Sequence, residues 1–150
     1  MKTLIAFYSR TGNTKRVSEE ISKKIKSDID EIIDLKKRRG ALGWVMGGKD
    51  ALLKKPTNIK IKKNPLNYEL VIIGTPNWAG TMTPAVREYL NKNKFKKVSF
   101  ICTYGGNEGH VFADMEKLSK KPIRCFSIKD KEIGNAEYNK KLNVFCEGLK

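Results

Sequence analysis

Four stretches of this chain are apolar with almost no alternation: residues 4–8, 70–74, 98–103 and 123–128. A strand that is apolar on both faces has to be buried on both, which is the situation inside a parallel sheet covered by helices on each side. A weaker run at 29–35 alternates imperfectly through Ile29, Ile32, Ile33 and Leu35 and reads as a fifth strand, second in chain order. Between the runs the apolar spacing changes to that of helices. Val17, Ile21 and Ile25 share one face, as do Val111, Phe112, Met115 and Leu118, and later Tyr138, Leu142, Phe145 and Leu149 on a last helix over 136–149. Pro84 sits at the first-turn position of a helix over about 83–91, with Val86, Tyr89 and Leu90 on its apolar side.

The segment 40–55 is less clean. Leu42, Val45, Met46, Leu52 and Leu53 suggest a helix covering one side of the sheet, weakened by Gly43, Gly47 and Gly48 and stopped by Pro56. Trp44 reads as a packing residue within it. The stretch 57–68 is polar and basic and is expected to cross the surface into the next strand. Five strand–helix repeats require crossover connections, and right-handed crossovers put helices on both faces. The expected fold class is therefore α/β, a three-layer sandwich on a five-stranded parallel sheet, with residues 1–150 forming one domain.

Composition narrows the function classes. No run of about 18 apolar residues exists, so no membrane span is signalled, and the short apolar run at the N-terminus lacks a small-residue cleavage site. Cys102, Cys125 and Cys146 have neither even number nor ligand spacing, which argues against a disulfide framework and a zinc site and points to a reducing cytoplasm. Lys plus Arg number 31 against 16 Asp plus Glu, a formal charge of +15. The basic residues are scattered rather than gathered into a stripe with aromatics, apart from the short cluster 36–39, so the excess reads first as solvated surface, then as recruitment of an acidic partner, and not as nucleic-acid binding.

Three loops carry the chemistry. The first, Ser9, Arg10, Thr11, Gly12, Asn13 and Thr14, joins the first strand to the first helix. Unpaired N–H groups and the positive end of the helix dipole meet there, and hydroxyls at 9, 11 and 14 add donors, so the loop suits an oxyanion such as a phosphate. The bland alternative is a helix capped by Asn13 or Thr14. The second loop runs through Thr75, Pro76, Asn77, Trp78, Ala79 and Gly80, and its indole offers a large stacking face. The third runs through Thr103, Tyr104, Gly105, Gly106, Asn107 and Gly109, with His110, the single histidine, reading as an exposed helix start. Nucleotide fingerprints of the G-x-G-x-x-G and G-x-x-x-x-G-K-[ST] kinds are absent, as is G-x-S-x-G.

Ser-Arg-Thr-Gly-Asn-Thr after an N-terminal strand, with Thr-Pro-Asn-Trp and the later Tyr-Gly-Gly-Asn loop, resembles the flavodoxin family over essentially the whole chain. The resemblance implies the strand order 2-1-3-4-5 and FMN as cofactor, its phosphate in the first loop and its isoalloxazine ring between the second and third. Trp78 and Tyr104 would stack on opposite faces, backbone groups of 77–80 would meet the N5 region with Gly80 allowing a redox-linked peptide flip, and those of 105–107 would meet the pyrimidine end. The implied function is a low-potential electron carrier serving redox partner proteins, with acidic docking surfaces on those partners because this chain is basic. The alternative is an NAD(P)H-dependent, FMN-containing oxidoreductase of the quinone or flavin reductase type. A flavin-free interaction module using the basic surface is the third class.

Overall fold

The computed structural model describes residues 1–36 and 40–150, and of residues 40, 41, 42 and 44 the backbone alone. The basic cluster at 36–39, beyond Lys36, the packing role expected of Trp44 and the place of Leu42 on an apolar face therefore lie outside the described residues. The elements, in chain order, are β1 (Thr3–Phe7), α1 (Asn13–Ile25), β2 (Asp28–Glu31), β3 (Ile33–Asp34), α2 (Gly40–Leu52), β4 (Ile59–Lys60), β5 (Leu70–Pro76), α3 (Pro84–Lys92), β6 (Lys97–Tyr104), α4 (Val111–Leu118), β7 (Cys125–Lys129) and α5 (Ala136–Glu147).

Five strands form one parallel sheet in the order β2-β1-β5-β6-β7, the 2-1-3-4-5 order expected of the main-sheet strands. Phe7, Gly74 and Ile101 lie side by side across β1, β5 and β6, so these strands run out together at one edge. Successive strand residues feed two cores. Leu4, Ala6, Val71, Ile73, Val98 and Phe100 pack under α3 and α4, whereas Ile5, Leu70, Ile72, Ile101, Phe126 and Ile128 pack under α1 and α5. This two-sided burial is the reason the strands read as unbroken apolar runs.

The helix ends follow the sequence signals. Thr83 caps α3 by accepting from Val86 N–H, with Pro84 behind it, and Asn135 caps α5 by accepting from Tyr138 N–H. Gly74 brings α1 close to the sheet, since a Cβ there would meet Phe7, Ser18 and Thr14 at 3.1–3.2 Å.

Three expectations need correction. The second strand does not run through 29–35. It ends at Glu31, Ile32 is buried between strands, and Ile33–Asp34 turns away to pair antiparallel with Ile59–Lys60. The polar stretch 57–68 hides that second strand because a two-residue ribbon leaves no periodicity to read. The last strand starts at Cys125, with Ile123 46% exposed. On α2 the expected apolar face is the wrong one: Val45, Met46, Leu52 and Leu53 are exposed, while Gly43, Gly47, Asp50 and Ala51 are buried. Glycine here admits close approach, as a Cβ on Gly47 would stand 2.6 Å from the Trp78 ring.

The crossover into β5 is tied down by Asp30, which is 4% exposed and accepts from the backbone N–H groups of Lys62 and Lys63 at 2.9 and 2.8 Å. Asp30→Ala strands two donors at a protected position and is expected to lower the unfolding free energy by about 2 kcal/mol. Urea denaturation measures it, and a change under about 0.5 kcal/mol would show that water satisfies those groups equally well.

Candidate functional site

The first, second and third loops follow β1, β5 and β6, neighbouring strands whose ends lie at the carboxyl edge of the sheet. That edge, at the point where the strand order reverses, is where ligands bind in open α/β sheets. The structure brings the loops around one cleft of ≈ 270 Å³. Ser9, Arg10, Thr11, Asn13 and Thr14 form one end, Pro76, Asn77 and Trp78 one side, and Thr103, Tyr104, Gly105 and Gly106 the other. Gly12, Thr75, Ala79, Gly80, Asn107 and Gly109 do not line it. Thr75 is buried, with its hydroxyl turned to the Pro76 carbonyl and Thr83.

The phosphate-type end is built around α1. Its N-cap is Gly12, and no side chain caps the helix, in contrast to the hydroxyl and amide that close α3 and α5. The first N–H groups of α1 thus keep their donor capacity at the cleft end. Gly12 N–H donates to Ser9 Oγ at 3.1 Å, which folds the loop over. Thr14 is buried and its Oγ1 lies 2.7 Å from Thr103 Oγ1, a bond that ties the first loop to the third. Thr11 is exposed at the loop tip.

The second and third loops are fastened to each other. Asn77 N–H donates to the Thr103 carbonyl at 2.9 Å, and the Asn77 side chain donates to the Asn107 carbonyl. Asn77 Oδ1 accepts from Gly80 N–H at 2.8 Å, and His110 N–H donates to the Gly80 carbonyl at 2.6 Å. Both peptide groups of Gly80 are therefore engaged. Trp78 and Thr81 exchange backbone hydrogen bonds around Ala79 and Gly80, whose φ values of 52° and 85° make a tight turn with both central residues left-handed. Thr81 Oγ1 donates to Asp114 at 2.6 Å and accepts from Arg87 at 3.1 Å, which anchors the turn to α3 and α4. His110 is the exposed residue before α4, as read from the sequence, and its side chain does not line the cleft.

Trp78 is not a free loop-tip indole. It is 7% exposed, meets Tyr8 edge-on with ring centroids 5.5 Å apart, and seats against Gly47 of α2. One part of it still lines the cleft. Tyr104 is half-buried on the other side, its hydroxyl pushed upward in pKa by burial and by Glu108 and Glu132.

Sequence reasoning missed Asp130, which follows β7 and completes the cleft wall beside Gly105. Burial raises its carboxyl pKa above the ordinary value, partly offset by a hydrogen bond from Asn13. The only sequence signal was its place two residues past the apolar run 123–128, just after the last strand as the other three loops follow theirs.

No family model matches the chain, and no curated protein does. Solved structures do. A flavoprotein from Lactobacillus acidophilus, determined in complex with FMN, is 23% identical over 88% of this chain and 95% of its own, with a TM-score of 0.71. Oxidised flavodoxin 2 from Bacillus cereus is 17% identical over 99% and 97% of the two chains, TM-score 0.63. Two-electron reduced flavodoxin from Megasphaera elsdenii is 16% identical over 99% of each, TM-score 0.58. The chain has the flavodoxin-like fold.

Two outcomes follow from this geometry. Gly109 has φ of +58°, and a Cβ there would meet the Gly80 backbone at 2.4 Å, so Gly109→Ala is expected to part the two loops and lower stability by about 1–3 kcal/mol, read by thermal unfolding. Asp130 binds its proton more tightly folded than unfolded, so its contribution to stability falls as pH rises from the ordinary carboxylate value of 3.8 upward. Asp130→Asn should remove that loss: the stability difference between variant and parent grows in favour of Asn with rising pH, and a difference independent of pH would contradict it.

Proposed function

We propose that the chain binds FMN in this cleft and acts as a low-potential electron carrier. The observation that carries the reading is the convergence of the uncapped α1 N-terminus with the second and third loops on one cleft. The donor set fits the group. N–H groups of the first turn of α1 and the hydroxyls of Ser9 and Thr11 would hold the phosphate, with Arg10 adding positive charge. Asp130 and Asn13 would meet the hydroxylated chain, and Trp78 and Tyr104 would flank the ring, with Pro76, Asn77, Gly105 and Gly106 closing round it. Bound flavin supplies one- and two-electron redox chemistry, while the protein sets its position and electrostatics.

The chain's own groups favour a low potential. Although the molecule carries +15, the residues that act on Tyr104 are Glu108 and Glu132, and Asp130 stands in the wall. Carboxylates beside the ring would oppose the addition of electrons to it, with Arg10 at the phosphate end of the cleft and Lys129 beside Tyr104 acting the other way, and the surface lysines steer an approaching partner. The partner is a redox protein with an acidic docking surface, met through a small transient contact. The three free cysteines suit a reducing cytoplasm.

Titration of the purified chain with FMN and with riboflavin tests the site. Thr11→Ala is expected to weaken FMN about tenfold, the effect of one lost hydrogen bond to a charged group, and to leave riboflavin unchanged. Equal loss for both would place the phosphate elsewhere. Reduction of the loaded protein in two separate one-electron stages, with no response to NADPH, supports the carrier. Direct bleaching by NADPH would overturn it in favour of an NAD(P)H-dependent oxidoreductase. Electron transfer to the partner should slow with added salt.

A further inference from the structure

Beside the cleft lies a second cavity of ≈ 370 Å³, between α2 and the second loop. Val45, Gly48, Lys49 and Leu52 line it from one helical face, at spacings of three and four, and Asn77, Trp78 and Ala79 line it from the loop. Asn77 and Trp78 thus form a wall common to the cavity and the cleft. Nothing in the redox reading uses this space.

Its construction is that of a ligand pocket rather than of a gap in packing. Two successive glycines of α2 have opposite roles. At Gly47 a Cβ would run into the Trp78 ring, so this glycine seats the helix; at Gly48 a Cβ would meet nothing within 4 Å, so this one opens the cavity. Val45 and Leu52, at 56% and 64% exposed, present apolar surface that the described residues do not cover. Asn77 already places its amide on Gly80 and Asn107. Among the described lining residues Lys49 is the one charged side chain.

We propose that this cavity binds a small planar aromatic acid. The aliphatic walls take the ring system together with the small part of the Trp78 indole that lines the cavity, and the Lys49 ammonium takes the carboxylate. The volume lies near the lower end of the range for small-molecule pockets, which suits one or two fused rings. Because Trp78 is shared, an occupant touches a residue that also faces the cleft. The site itself does not depend on what the cleft holds.

The test is isothermal titration of the full chain with 2-naphthoate, with and without FMN, alongside neutral 2-naphthamide. The expected result is saturable uptake of one 2-naphthoate per chain whether or not FMN binds. A failure of FMN binding would therefore count against the redox reading and not against this site. Gly48→Leu fills the cavity and should weaken 2-naphthoate at least tenfold while leaving the thermal midpoint unchanged or higher, since leucine favours a helix over glycine. Lys49→Gln should weaken 2-naphthoate several-fold and leave 2-naphthamide unaffected. Unaltered binding in Gly48→Leu, equal affinity of acid and amide for the parent chain, or no uptake at millimolar concentration would overturn the proposal. So would a concentration-dependent dimer that Leu52→Glu dissolves, because the face would then be an interface between copies.

Discussion

The parallel pairing of β1, β5 and β6 is the constraint on which the remainder of the molecule depends. Parallel strands cannot be joined by tight turns, so each needs a crossover helix, and the helices fall on both faces. Both faces are then buried, which fixes the apolar runs. Every strand also ends at the same edge, so the loops that follow β1, β5 and β6 have no choice but to gather there. The cleft is a consequence of sheet topology before it is a consequence of any side chain.

The loops are joined to one another by backbone and small polar groups, while Trp78 seats the second loop in the core against Tyr8 and Gly47. Asn77 is the central piece, because its backbone N–H reaches Thr103 and its side chain reaches both Gly80 and Asn107. Gly109 lets the third loop touch the Gly80 backbone, and Thr14 with Thr103 closes the circle to α1. A site built this way is positioned from three strands at once, so its geometry inherits the rigidity of the sheet.

On the third-loop side of the site, carboxylates stand out against the basic composition of the chain, while Arg10 lines the other end. The lysine excess is spread over the surface, whereas Glu108, Asp130 and Glu132 sit near the third loop. A net charge therefore says how partners approach and little about the field a bound group would feel. These are different length scales: one is screened over roughly 8–10 Å of salt solution, the other acts across partly buried contacts.

The sequence by itself determined the α/β class, the helix start marked by Pro84, and the loops that carry the chemistry, because burial on two faces, the fixed backbone of proline and turn chemistry are local properties written in adjacent residues. Tertiary structure alone decided which way α2 faces, where Trp78 points and that Asp130 joins the cleft. Each of those depends on contacts between segments far apart in the chain: Gly47 of α2 meets Trp78 after β5, and Asp130 after β7 meets Asn13 of α1. A glycine that admits another segment leaves the same letter as one that weakens a helix, and only the packed neighbour distinguishes them. The short β3–β4 ribbon stayed hidden for a related reason, since two residues on each side carry no period and their pairing exists only once the chain has folded.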